Sequence, residues 1–340
     1  MARRPLRPTL LLFLCPMLLG CWAGSDKEVT VYTALDSEFS EPIFADFTAR
    51  TGIAVLPKFD TESTKTVGLA EAILAERQRP RCDVFWNNEV LHTARLEQQG
   101  LLEPYQSHRA KRFPAEYRSP QGAWYGFAAR ARVLLVNKDL TKDRRPGSIQ
   151  DLADPAWRGK ACMAKPLFGT TATHAACLFA AWGDQRAKQF FRSLKANDVQ
   201  ILSGNKRVAE AVAAGQMAFG LTDTDDAVIE VEKGFPVEIV YPDQGEGGLG
   251  TLFIPNTVAI IRGCPHPEAA RQLVDYLLSR EVEAKLAAGP SAQIPLGRNV
   301  EASPRVETPK TVRPMSVDFS AAAARWKEAA AFLRAEFGGG

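Results

Sequence analysis

Residues 29–59 read VTVYTALDSEFSEPIFADFTARTGIAVLPKF, and their rhythm decides the fold class. Val29-Thr30-Val31-Tyr32-Thr33 is a short run of β-branched and aromatic residues. Ile43, Phe44 and Phe47 then recur at helical spacing, with Ser40 as the expected N-cap and Gly52 as the stop. Residues 53–59 return to a strand pattern. The unit repeats: residues 67–76 predict a helix with Leu69, Ile73 and Leu74 on one face, Cys82-Asp83-Val84-Phe85-Trp86 a strand, and residues 90–99 a helix ended by Gly100. Strands alternating with helices build a parallel, doubly wound sheet with right-handed crossovers. Ligands of such sheets sit where loops leave the carboxyl ends of the strands. Those loops span 34–39, 60–66 and 87–89. They carry Asp36, Ser37, Thr61, Glu62, Asn87 and Glu89, each serviceable as a ligand contact or as a cap or turn residue. Trp86 and Trp124 could wall a cleft or pack the core.

Working outward, residues 124–137 predict one long strand interrupted by Arg130 and Arg132, which share a face at i, i+2. A second α/β unit follows. Strands are expected at 160–164, 199–202, 217–222 and 237–241, and helices at 169–182, 187–194 and 205–214. A second long apolar strand spans 251–261, an amphipathic helix 267–278, and a last helix 320–337. Gly169-Thr170-Thr171 opens the first helix of this unit, where backbone N–H groups and hydroxyls suit an anion and also suit plain capping. Asp223 and Asp225, with Thr224 between them, alternate after a strand and could hold an amine or a metal, or form a solvated turn. Arg130 and Arg132 offer planar forks for a carboxylate or phosphonate, or structural ion pairs.

Arg3, Arg4 and Arg7, the apolar run 10–19 and Leu18-Leu19-Gly20-Cys21 form a lipoprotein export signal over residues 1–21. Cys21 is the expected acylation site, which would tether an exported domain to the cell envelope, facing the periplasm or the cell exterior. The apolar run is too short to span a bilayer. The three leader arginines account for the whole net charge of +3, so the remainder is balanced and carries no basic face for nucleic acid. An apolar fraction of 46% is that of a core-forming chain, and the length fits two domains. His92, His108, His174 and His266 are scattered, without metal-ligand spacing, and read as surface or core residues. There is no nucleophile elbow, P-loop or dinucleotide motif.

Several short pieces, in order, carry a family resemblance. They are Val31-Tyr32-Thr33-Ala34, Phe59-Asp60-Thr61-Glu62, Asp83-Val84-Phe85-Trp86 with Glu89, and Gly100-Leu101-Leu102-Glu103-Pro104-Tyr105. Arg130-Ala131-Arg132-Val133 with Val136-Asn137, and Ile254-Pro255-Asn256, complete the set. The chain resembles the extracellular solute-binding proteins of ABC importers, in the ferric-iron-binding-protein-like group, from about Val29 to Phe337. The resemblance implies an α/β, bilobal periplasmic-binding-protein fold of type II: two doubly wound sheets joined by two hinge strands, closing on a ligand. The expected lobes are 27–130 plus 256–298 and 131–255 plus 299–337. It also implies a small-molecule or ion ligand, ABC permease subunits as partners, a monomer, and no cofactor beyond a metal ion or anion as cargo. An enzyme on a similar scaffold, a transferase or hydrolase, is the alternative, and no nucleophile signature supports it.

The resemblance breaks at the ligand. Ferric members of the group usually hold the metal with two adjacent tyrosines from the second lobe; no two tyrosines are adjacent here, and Thr222-Asp223-Thr224-Asp225-Asp226 stands at that place. The reading of the ligand is therefore open between iron with a synergistic anion and a phosphonate or other small anion or zwitterion. In this fold the returning hinge strand runs antiparallel beside the third strand of the first lobe. That would bring Cys82 to Cys264, while Cys162 and Cys177 form a second possible pair.

Overall fold

The computed structural model describes residues 27–60 and 66–338. The first α/β stretch comprises β1 (Glu28–Thr33), α1 (Ser37–Thr51), β2 (Ala54–Phe59), α2 (Val67–Ala75), β3 (Val84–Asn87), α3 (Leu91–Gln98) and β4 (Leu102–Glu103). The long strand β5 (Tyr125–Asn137) follows. Beyond it lie β6 (Ala161–Ala164), α4 (Gly169–Trp182), α5 (Asp184–Ala196), β7 (Gln200–Leu202), α6 (Asn205–Ala213), β8 (Phe219–Asp223), α7 (Thr224–Glu232) and β9 (Val237–Val240). The chain returns through β10 (Phe253–Ile261), α8 (Pro267–Leu277), α9 (Arg280–Ala288) and α10 (Phe319–Phe337).

The strands line up as β2-β1-β3-β10-β5-β8-β6-β7, with β4 beside β10 and β9 beside β5. β1 pairs in parallel with β2 and β3, and β6 with β7 and β8, as two βαβ windings require. β5 belongs to both halves. Its first part pairs antiparallel with β10 as far as Phe253↔Ala131, and its second part pairs with β8 from Arg132↔Asp223 onward. The bilobal, type II architecture is thus two sheets sharing one strand. The chain crosses back beside the same point, where Arg132 N–H donates to Leu252 O at 2.8 Å. Every residue of β5 is buried, so its apolar residues serve both cores at once. α10 packs on α3 of the first lobe and on α4 and α5 of the second.

Three local expectations give way, and the open reading of two tryptophans is decided. Ser40 does not cap α1: the helix starts at Ser37 behind Asp36, and the buried Ser40 hydroxyl donates back to Asp36 O at 3.1 Å. Gly52 ends it as expected, at φ 73°. The Asp223–Asp226 run is the end of β8 and the first turn of α7, not a turn between elements. Trp86 and Trp124 are core residues. Trp86 packs between Phe44 and Phe127, and Trp124 donates its indole N–H to Glu97. The four described cysteines are free thiols. Cys82 donates to Val84 O at 3.2 Å, and Cys162 lies along β6 against Gly220 of β8 while Cys177 sits on α4 near Glu89, so neither expected pair is formed. Burial raises the Cys162 thiol to about 12 and the Cys264 thiol to about 11. Cys21, Thr61 and Glu62 lie outside the described residues.

Candidate functional site

A cavity of about 120 Å³ opens between the lobes beside β5. One wall is the α1 start, with Leu35, Asp36, Glu38 and Phe39. The other is built by three strand-to-helix junctions of the second lobe. These are Lys165 and Phe168–Thr171 at α4, Ser203–Lys206 at α6, and Asp223, Asp225 and Asp226 at α7. This is the carboxyl-end crevice that a doubly wound sheet provides. Phe168, Gly204 and Asp223 precede these helices, and none makes a side-chain cap. The helix dipoles favour a negative partner at these first turns. Gly169 takes φ +56°, a left-handed turn that suits glycine.

Beneath the cavity Arg132 organises these junctions. Its guanidinium pairs with Asp223 at 2.6 Å, and donates to Asn205 Oδ1 at 3.1 Å, Thr170 Oγ1 at 3.3 Å and Thr171 Oγ1 at 3.2 Å. Asn205 in turn donates to Thr170 and to Asp223, both at 2.9 Å. Every member is buried or half-buried, and the network locks three helix starts in register. Arg132 itself has no exposed surface and does not line the cavity. Its role in this geometry is positioning.

Arg130 does reach the cavity. Its Nε lies 2.9 Å from Asp225 of the second lobe, and its Nη1 donates to the Asn88 carbonyl of the first. Burial opposes its charge, but Asp225, Asp223, Asp36 and Asp226 outweigh this and raise its pKa above the ordinary arginine value. The carboxylate oxygens of Asp223, Asp225 and Asp226 gather within 4.8 Å of one another. Two of these three acids are already matched by Arg130 and Arg132. A cation entering here would compete with guanidinium groups that are part of the fold.

Of the residues singled out in sequence, Asp36, Arg130, Gly169, Thr170, Thr171, Asp223 and Asp225 line the cavity. Ser37 opens α1 and lines a separate surface hollow with Thr33 and Asp60. Thr224 turns inward, its hydroxyl accepting from Ala131 N–H at 3.0 Å. Asn87 and Glu89 are buried beside the cavity rather than in it. Glu89 caps α3, accepting from His92 N–H at 3.1 Å and from Leu91 N–H, and receives the hydroxyl of Thr173 on α4 at 2.7 Å. It is thus a strut between lobes. Burial raises its carboxyl above the ordinary glutamate range against the pull of these donors. Sequence reasoning missed Asn88, Lys165, Asn205, Lys206 and Asp226. Ser203-Gly204-Asn205 has the same strand–glycine–helix form that singled out Gly169, so a signal for it existed. Among the described residues, no tyrosine lines the cavity.

The comparisons agree with this geometry. The sequence profile of the bacterial extracellular solute-binding proteins matches residues 84–322. "Iron uptake protein A1" of Synechocystis is 27% identical over 274 residues, covering 78% of this chain and 74% of that protein. A "Putative 2-aminoethylphosphonate-binding periplasmic protein" of Salmonella typhimurium is 24% identical, over 78% and 77% of the two chains. The crystal structure of iron-bound HitA from Pseudomonas aeruginosa superposes with a TM-score of 0.81 at 26% identity, covering 91% of this chain and 99% of that one. The names of these relatives are those of uptake and binding proteins. A shared-strand bilobal fold, with its cavity between the lobes, thus joins a matching profile over most of the described chain: this protein belongs to the bacterial extracellular solute-binding proteins, in their ferric-iron-binding-protein-like group serving ABC importers.

Proposed function

We propose that the protein is a lipid-anchored receptor that closes on a small phosphonate, phosphate ester or similar zwitterion and delivers it to an ABC permease. The observation that carries this reading is the polarity of the cavity. The α4 and α6 starts with Lys165 and Lys206 form a donor-rich end, and Asp223, Asp225 and Asp226 an acidic end. An oxyanion at the first end and an ammonium or hydroxyl at the second would satisfy both. The Salmonella relative named for 2-aminoethylphosphonate binding supports a ligand of this type. The hinge lies where β5 passes from β10 to β8, near Ala131 and Arg132, with lobes 27–130 plus 256–298 and 131–255 plus 299–337. Cys21 carries the anchor, and the receptor acts as a monomer.

Ferric iron is the second reading, supported by the acid cluster and by the names of the iron-binding relatives. That no tyrosine lines the cavity among the described residues weighs against it, because phenolates are the ligands that select a hard trivalent cation. A thermal-shift and calorimetric screen of 2-aminoethylphosphonate, sugar phosphates, inorganic phosphate and ferric citrate separates the two. A phosphonate or phosphate ester at 100 times its dissociation constant should stabilise the protein by about 2.7 kcal/mol. Stabilisation by ferric citrate alone, beyond citrate without metal, would replace the proposal with iron.

A further inference from the structure

The two lobes meet beside the ligand cavity as well as around it. Glu89 lies between β3 and α3 of the first lobe, and Thr173 stands one turn into α4 of the second. Both side chains are fully buried, and the Thr173 hydroxyl donates to Glu89 Oε2 at 2.7 Å. Other side-chain bonds between the lobes are of a different kind. Gln98 Nε2 to Ser320 O, at 3.0 Å, is exposed, and beside it α3 and α10 leave a hollow of about 470 Å³. Exposed bonds hold little, because water competes for both partners. Arg130 and Asp225, 2.9 Å apart, line the cavity, where an entering solute would meet them. The Thr173–Glu89 bond is dry, and neither of its residues lines the cavity.

What sets this bond apart is what each partner keeps when the lobes separate. Thr173 Oγ1 also lies 3.4 Å from Gly169 O, one turn back on its own helix. A hydroxyl has a single proton to donate, and the shorter contact holds it. With Glu89 withdrawn, Gly169 O is the acceptor at hand, the usual i−4 partner of a helical threonine. Glu89 for its part keeps Asn87 Nδ2 at 2.7 Å, His92 N–H at 3.1 Å and Leu91 N–H, all from the first lobe. Opening therefore orphans neither group, and the penalty that makes most buried bonds permanent is absent. Arg132 shows the contrast: Asp223, Asn205, Thr170 and Thr171 all belong to the second lobe and travel with it.

We propose that Glu89 and Thr173 form a reversible latch. It holds the lobes shut even without cargo, and opening swaps the Thr173 hydroxyl from Glu89 to Gly169 O. Both are positioning residues, acting on the solute only through the lobes. The latch rests on the receptor reading, since it matters only in a protein that opens and closes, and it is indifferent to which solute is carried. A receptor that is mostly shut binds with its affinity reduced by the fraction that is open, so the strength of this one bond sets part of the affinity.

The test is small-angle X-ray scattering of the ligand-free chain from residue 22 onward, which contains every described element. The wild-type curve should fit the closed arrangement. Thr173→Val keeps the branched shape and loses the hydroxyl, and should shift the closed-to-open ratio about tenfold toward open, seen as a larger radius of gyration. Thr173→Ser keeps the hydroxyl and loses a methyl group, and should stay compact, the reverse of what a packing role would give. Thr173→Ala repeats the loss of the hydroxyl without the bulk of valine, and melting followed by circular dichroism shows which variants are folded. A wild-type chain that is already open overturns the latch. So does a Thr173→Val chain as compact as wild type, an open Thr173→Ser chain, or loss of the folded state in both Thr173→Val and Thr173→Ala. No ligand is used, so failure here leaves the reading of the cavity standing, and failure of the ligand screen leaves the latch standing.

Discussion

Arg130 and Arg132 show how much two residues of one strand can differ at the scale of single side chains. Both point toward the acids of the second lobe, as their i, i+2 spacing implied, yet one reaches the ligand cavity and the other lies beneath it. Spacing fixes the face of a strand. It does not fix how deep each side chain sits, because depth depends on where α4, α6 and α7 end against the sheet. The same limit explains Glu89 and Thr224, which sit in strand-end segments as expected but turn their polar atoms into the protein. Arg130→Ala would leave Asp225 and the Asn88 carbonyl without their shared partner in a buried place. Loss of one member of such a pair costs about 3–5 kcal/mol. We expect urea denaturation to register a loss of that order, together with weaker binding of the cleft ligand. Arg130→Lys should recover only part of both, since one ammonium cannot span the two acceptors. Unchanged stability and affinity in Arg130→Ala would remove it from the site.

At the scale of elements, the strand–helix alternation was legible because each strand is a short β-rich run and each helix repeats its apolar residues at helical spacing. α7 was not. Its first turn is Thr224-Asp225-Asp226, and acids that suit a helix start by its dipole are equally the residues of turns. The contact between α3 and α4 could not be read from sequence either, because Glu89 and Thr173 are far apart in the chain and meet only when the lobes do. It carries a pH signature. Burial places the Glu89 carboxyl above the usual glutamate value, so folding takes up a proton between the ordinary and the raised pKa. The stability this group contributes is complete below the ordinary value and declines as pH rises through the raised one. Glu89→Gln keeps an acceptor for α3 but cannot ionise. Its stability should therefore lack that downward step, measured as the difference between wild-type and variant melting curves across mildly acidic to neutral pH. Parallel curves would show that Glu89 does not titrate on folding.

At the scale of the whole molecule, no described helix is long and apolar enough to cross a membrane, and the attachment we propose is through Cys21. Cys21→Ser should move the protein from the membrane fraction to the soluble fraction and abolish labelling with palmitate. Unaltered membrane partition would end the anchoring proposal. The shared strand has one more consequence, for how the chain is born. The first sheet needs β10 between β3 and β5, and β10 is made only after the entire second α/β unit. The second sheet can form from β5 to β9 alone, but the first cannot be completed before β10 appears, and contacts so distant in sequence close slowly. The N-terminal part of the polypeptide would therefore stay open and threadable until β10 has been made, which is the condition a translocation channel requires of the end that enters it first.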